Sequence, residues 1–400
     1  MFRLIIFVSS VCFLALIHAA FRSLSLPSFV FLAILTSLLI RYLHRDRWSV
    51  LRTNKFTFVR KTYQYISIYR LAYLLDRVVA ALPAPMDATH PHPDAAAALN
   101  GILSSPDCPD TFQRKETNII QIESLVGCVC TLVHDVEATI NGDGNYNSSK
   151  NHVSPLVLDI GAGKALFTRA VYETLRRKVP CVAFDRRHQF EGDLFYDPKE
   201  GEVDDQHEQP YTRLVGDVGR LSSSRTLDPL RSAKGGGVVA ITKHLCGGAT
   251  DNSLMALCRL PLSDYVGGAC LAPCCHQKMR REQYCNLPYL QRHGFCQTHR
   301  GLRGDMHDND FRTFGMLINM SRAKDGLQDF EYKKSVLLSL LGFDRAANLG
   351  RKARRILEEG RAVYLREHGF DVHVVRYCDR SVTGDNLALI AKRRSARQGV

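Results

Sequence analysis

The run Val157-Leu158-Asp159-Ile160-Gly161-Ala162-Gly163-Lys164-Ala165 constrains this chain more than any other stretch. Apolar residues lead through an acidic one into two closely spaced glycines. Leu166-Phe167-Thr168-Arg169-Ala170-Val171 then has helix-like spacing. The pattern predicts a buried strand, a tight turn and a helix start. Glycine lets the backbone turn sharply and approach a ligand with no Cβ in the way, and the first N–H groups of a helix are unsatisfied within it. This is the opening β-turn-α unit of a nucleotide-type α/β fold.

A dinucleotide fingerprint would carry a third glycine at Ala165. The shorter D-x-G-x-G turn fits S-adenosylmethionine better. Beyond it the pattern alternates, with strands predicted at 156–160, 181–185, 213–218, 237–242 and 269–272 and helical stretches between the early ones. Residues 371–377 and 386–391 predict a closing antiparallel hairpin. Alternation of this kind argues for a doubly wound, mostly parallel sheet, here seven-stranded, with ligands at the carboxyl ends of the strands.

The polar strings fall at those ends. Asp185 closes the second strand, 22 residues after Gly163. An acidic residue there can accept from ribose hydroxyls, although it could also cap a helix. Asp217, with Val218 beside it, can meet an adenine amine or cap the next helix. The fourth strand runs into Thr242-Lys243-His244-Leu245-Cys246-Gly247-Gly248-Ala249-Thr250-Asp251, the most distinctive string in the chain, and the fifth into Ala272-Pro273-Cys274-Cys275-His276. Both should reach one crevice. Cys246, Cys274, Cys275, His276 and His244 are of metal-ligating types, but adjacent cysteines lack the common C-x₂₋₄-C spacing, and no metal site is expected. In a catalytic reading, Lys243 or His244 handles the proton of an acceptor hydroxyl or amine. In the plainer one, they shape the pocket.

Net charge is +13 and the pI about 9.2, which favours a polyanionic partner, nucleic acid or anionic lipid. Residues 342–400 hold 13 Lys/Arg against 7 Asp/Glu. Arg351, Lys352, Arg354, Arg355 and Arg361 cluster on a helix whose apolar face is Leu349, Ala353, Ile356, Gly360 and Val363. That cluster is a solvated face or a phosphate contact. Thirteen cysteines in no paired spacing indicate a reducing compartment with mostly free thiols.

Residues 4–21 and 24–40 are apolar stretches near the lower length limit for a bilayer span, followed by Arg41, His44, Arg45 and Arg47. They read as a membrane anchor with the catalytic domain facing the cytosol, as a cleaved signal peptide, or as a misassigned translation start. Residues 61–82 have helical spacing, and the prolines of 83–110 read as a linker. The expected organisation is 1–45 hydrophobic anchor or artefactual segment, 46–110 basic helix and Pro-rich linker, and 111–400 catalytic domain. Asn118 to Val133 should form a helix packed on that domain.

These strings resemble one family, the tRNA 2′-O-methyltransferases that modify the nucleoside at position four of the acceptor stem. The likeness rests on Asp159-Ile160-Gly161-Ala162-Gly163-Lys164, on Lys243-His244-Leu245-Cys246-Gly247 with Ala249-Thr250-Asp251, and on Cys274-Cys275-His276 with Tyr284. It continues through Gly360-Arg361, Tyr364-Leu365, Gly369-Phe370, Tyr377 and Asn386, covering roughly residues 112–392. The family's small Cys/His modules before the catalytic domain have no counterpart in this sequence. Places where relatives tend to carry His, Cys and Trp read Gln277, Met279 and Arg281, and a late Glu-Asn pair reads Asp385-Asn386.

The resemblance implies a class I, Rossmann-like methyltransferase using S-adenosylmethionine, with tRNA as partner and an intracellular location, cytoplasmic or nuclear. Asp159, Gly161, Ala162, Gly163 and Lys164 are expected against the cofactor, with Asp185 at its ribose and Asp217, Val218 and Thr242 completing the pocket. Lys243, His244, Cys246 and Asp251 are expected on the acceptor side, and Arg351, Lys352, Arg355 and Arg361 on tRNA phosphates. Two other readings share these residues: a methyltransferase of a different acceptor, and an RNA-binding relative without turnover.

Overall fold

The computed structural model describes residues 68–88, 92–105, 108, 116–141, 155–187, 211–243, 245–296, 308–322 and 341–394. Its helices are α1 (described from 68 to 80), α2 (Pro93–Ser104), α3 (Glu116–Asn141), α4 (Leu166–Thr174), α5 (Ser224–Leu227), α6 (Gly248–Leu257), α7 (Leu287–Arg292), α8 (Asp308–Arg322) and α9 (Phe343–Glu367). Its strands are β1 (Met86–Asp87), β2 (Leu156–Ile160), β3 (Cys181–Asp185), β4 (Thr212–Val215), β5 (Val238–Thr242), β6 (Val266–Leu271), β7 (Phe370–Arg376) and β8 (Leu387–Arg393).

The central strands are apolar because both faces are covered. Every residue of β2, β5 and β6 is buried, as expected for parallel strands with helices on either side. Successive side chains go to opposite faces. Val157, Val239 and Ile241 join one core with α2, α3 and α4, whereas Leu156, Leu158, Val238 and Ala240 join another with α6 and the end of α9. A third cluster links α1, α7, α8 and α9.

The sheet order is β1-β7-β8-β6-β5-β2-β3-β4. Only β8 is reversed, antiparallel to both β6 and β7. The expected closing hairpin is therefore present, but among the described residues the sheet has eight strands rather than seven. The extra one, β1, lies parallel to β7 through Met86 and Asp87. Two exposed residues between proline-rich flanks carry no strand periodicity. Direction along the sheet reverses between β2 and β5, which are parallel neighbours, and a crevice opens at such a switch point.

The proline-rich stretch expected as a linker holds α2 as well as β1. His92 caps α2 by accepting from the Asp94 N–H, Pro93 occupies the first turn, and Ala95, Leu99, Ile102 and Leu103 are buried. Proline in the first helical turn starts helices rather than breaking them. In α1, Leu71, Leu75 and Val78 are buried, whereas Tyr73 is half-exposed. Among the described residues α3 alone is long and apolar enough to cross a membrane, yet most of its apolar stretch is buried. It is a core helix, as its periodicity suggested. The two N-terminal apolar stretches lie outside the described residues.

Candidate active site at the β2–β5 switch point

The glycine turn follows β2 as a sequence of left-handed residues: Gly161 (φ 77°), Gly163 (φ 55°) and Ala165 (φ 59°). Gly161 also needs its missing side chain, because a Cβ there would meet Leu245 Cδ1 at 2.9 Å. That contact joins the turn after β2 to the string after β5. Ala165 heads α4 in a conformation that favours glycine.

Two side chains hold the turn. Asp185 Oδ2 accepts from the Gly163 N–H at 2.9 Å, and Oδ1 accepts from the Arg187 N–H. Arg213 donates to the Gly163 carbonyl at 2.8 Å. Arg213 was not singled out from sequence, because an arginine on a short edge strand carries no signal. Ala162, Gly163 and Lys164 are half-exposed along the turn. Asp159 is instead buried, accepting from Thr168 Oγ1 at 2.7 Å, and burial raises its carboxyl to about 7. Expected against the cofactor, Asp159 anchors the base of the turn to α4.

Asp217 accepts from the Gly219 N–H and caps the short turn that begins at Val218. Thus the capping alternative describes its bond, while the residue stays exposed. Thr242 is buried at the end of β5, and its hydroxyl has no hydrogen-bond partner among the described residues.

Lys243 follows with 8% exposure, and burial lowers its amine to about 8. His244 lies outside the described residues. Cys246 is exposed and pairs through its backbone with Cys274 beyond the end of β6, with the sulfurs 3.7 Å apart. The hydrogen bond from Cys274 favours the Cys246 thiolate and pulls its thiol down to about 6.

Asp251, expected on the acceptor side, lies in the first turn of α6. It is fully buried and forms a paired contact with Arg361, at 2.6 Å to Oδ2 and 3.2 Å to Oδ1. Arg361 also donates to Glu358, and His276 Nε2 meets Glu358 Oε1 at 2.6 Å. His276 is thereby drawn away from the cysteines with which its sequence position groups it. Tyr284, read as a motif residue, donates to the Leu357 carbonyl and lies close under Gly360.

The basic helix is likewise turned inward. Arg361 is 1% exposed and Arg355 7% exposed, the latter paired with Glu359 and donating to the Pro83 carbonyl. Both were expected on tRNA phosphates, and both are buried against protein partners. Arg354, also buried, pairs with Asp385 and donates to the Pro273 carbonyl. Arg351 and Lys352 are half-exposed, the first bonded to Asn348 and the second to Asp76 at 2.6 Å. Charge counting saw the basic residues but not the acidic partners that α9 and its neighbours supply.

Residues 138–392 match the family model described as Methyltransferase TRM13. The "tRNA:m(4)X modification enzyme TRM13" of Vanderwaltozyma polyspora is 29% identical over 188 residues, 46% of this chain and 42% of that protein. The protein of the same name from Eremothecium gossypii is 31% identical over 160 residues, 39% of this chain and 34% of its own. The one from Schizosaccharomyces pombe is 24% identical over 329 residues, 80% and 77% of the respective chains. The match spans less than half the length of the first two relatives.

Proposed function

This chain belongs to the TRM13 methyltransferase family, and from that premise we propose that it methylates a tRNA ribose 2′-hydroxyl at position four of the acceptor stem, using S-adenosylmethionine. The observation that carries the reading is the meeting of the glycine turn with the Lys243–Cys246 string at the β2–β5 switch point, through Gly161 and Leu245. The relatives are named as tRNA m(4)X modification enzymes, and the ribose at position four of the acceptor stem is what the sequence resemblance implies.

The residues present fit the cofactor. Gly161 and Gly163 bring no Cβ of their own to the turn, and Asp185 keeps carboxylate lone pairs beyond those taken by Gly163 and Arg187. Thr242 offers a buried hydroxyl at the end of β5. On this reading Gly161, Ala162, Gly163 and Lys164 line the methionine portion, Asp185 accepts from the ribose, and Asp217 with Val218 flanks the adenine. When bound, S-adenosylmethionine supplies an activated methyl group on a sulfonium.

What remains for the protein is alignment and proton management. A ribose hydroxyl is a weak acid. Lys243, with its amine lowered to about 8 by burial, has a substantial neutral fraction near physiological pH and can accept the hydroxyl proton at Nζ. The proposed role of His244 is to share in that proton's removal, and that of Cys246 is to shape the loop. Arg351 and Lys352 stay as the phosphate-facing candidates of α9. The anchor at residues 4–40, with the catalytic domain in the cytosol, is a proposal that rests on their composition.

The test is transfer of labelled methyl groups from S-adenosylmethionine to unmodified tRNA by the full-length chain. Label in tRNA is the expected result. Cofactor binding without label in any tRNA would overturn the proposal.

A further inference from the structure

The thiols of Cys246, Cys274 and Cys275 gather at the exits of β5 and β6, all three sulfurs within 4.8 Å of one another. Two features of the backbone bring them there. Cys246 and Cys274 form an isolated parallel bridge, continuing the β5–β6 pairing past Thr242 and Leu271. Cys275 then adopts φ 51°. Neighbours in an extended chain project to opposite sides, so two adjacent cysteines share one cluster only where the chain turns between them. A left-handed non-glycine residue is unfavourable and persists where its surroundings require it, most often at functional sites.

The spacing of the sulfurs points to a shared ligand. Cys246 Sγ and Cys274 Sγ are 3.7 Å apart. A disulfide needs about 2.05 Å. A tetrahedral centre with Zn–S bonds of about 2.3 Å has sulfur–sulfur edges of about 3.8 Å. Lys278 and Arg322 are near enough to Cys246 to favour negative charge there, which suits three thiolates around a dication, a net charge of −1. Cys246 is exposed and gives an entry path, whereas His276 is committed to Glu358.

We propose that Cys246, Cys274 and Cys275 bind a thiophilic divalent cation of the zinc class as three thiolates with an open fourth position. The bound ion clamps the β5 and β6 exits together beside Lys243. The thiol protons leave to solvent on binding.

The test uses the full-length chain, purified under reductant and without chelator, with zinc measured by mass spectrometry and cobalt(II) added as a spectroscopic probe. The expected content is about one zinc per chain, with a thiolate-to-cobalt charge-transfer band when cobalt replaces it. Cys246→Ser removes an exposed ligand, so the protein should stay folded by circular dichroism while losing most of its zinc and the band. Cys258→Ser and Cys378→Ser, outside the cluster, should keep both. Full zinc content in folded Cys246→Ser would overturn the site. So would a wild-type protein that is metal-free and takes up neither zinc nor cobalt, or one whose Cys246 and Cys274 are found joined as a disulfide and bind no metal once reduced.

Discussion

Arg361 donates to Asp251 at 2.6 Å, and neither side chain is more than 1% exposed. The pair joins α9 to the first turn of α6, the helix that follows the Lys243–Cys246 string. It therefore ties α9 to the helix that carries the candidate site's loop. Removing one partner of a buried pair leaves an uncompensated charge, at a cost of about 3–5 kcal/mol. Arg361→Leu or Asp251→Ala should each destabilise by that order in chemical denaturation. The double variant should cost less than the sum of the two. Near-additive costs would show that the pair is not coupled.

Glu358 gives the fold an acid-sensitive element. Burial alone would raise its carboxyl, but the Arg361 charge and the His276 hydrogen bond hold it near 2, below its ordinary 4.5. A depressed carboxyl contributes stability that is complete above the unfolded value and is lost as pH falls toward the folded one. Stability should therefore drop between about pH 4.5 and 2. Glu358→Gln should flatten that drop and lower stability at neutral pH by about 3 kcal/mol. Urea midpoints of the two proteins across the acid range provide the check, and parallel curves would count against this role.

Lys243 separates proton transfer from simple charge. If its neutral amine takes the proton, the turnover rate should rise with pH and level off above a midpoint near 8. Lys243→Ala should lower kcat by about 10²–10⁴ with S-adenosylmethionine affinity unchanged. Lys243→Arg keeps the positive charge but cannot deprotonate, so it should not rescue. Recovery of turnover by the arginine variant would assign the residue an electrostatic role instead.

Asp185 holds Gly163 and, in the proposed reading, a cofactor ribose. A hydrogen bond to a charged group contributes about 1.5–3 kcal/mol. Asp185→Ala should thus weaken S-adenosylmethionine binding roughly tenfold to a hundredfold by calorimetry. Asp185→Asn keeps one carbonyl acceptor and should lose less. Unchanged affinity in a folded alanine variant would remove Asp185 from the cofactor site.

The strands that form the crevice were readable in the sequence, because buried parallel strands are continuous apolar runs. β2 and β3 match their expected limits, and β5 starts one residue late. The glycine turn and the Lys243 string do converge, since topology places their strands side by side. What escaped reading depends on partners distant in sequence. Arg355 and Arg361 look like phosphate contacts until Glu359, Glu358 and Asp251 are brought against them. Asp251 looks catalytic for its place after the Lys243 string, although its carboxylate is taken up by Arg361. Proline obscured α2, because Pro93 marks a helix start as readily as a linker. The three cysteines lacked a known spacing, as a β-bridge and a left-handed turn rather than a local loop bring them together.

In the proposed reaction the methyl group reaches a ribose oxygen at one tRNA position. The direct measurement is nuclease digestion and mass spectrometry of tRNA modified by the full-length chain, with a Lys243→Ala reaction alongside. The expected product is a 2′-O-methyl nucleoside at position four of the acceptor stem, absent from the variant reaction. A methyl group on a base, or at another position, would contradict it.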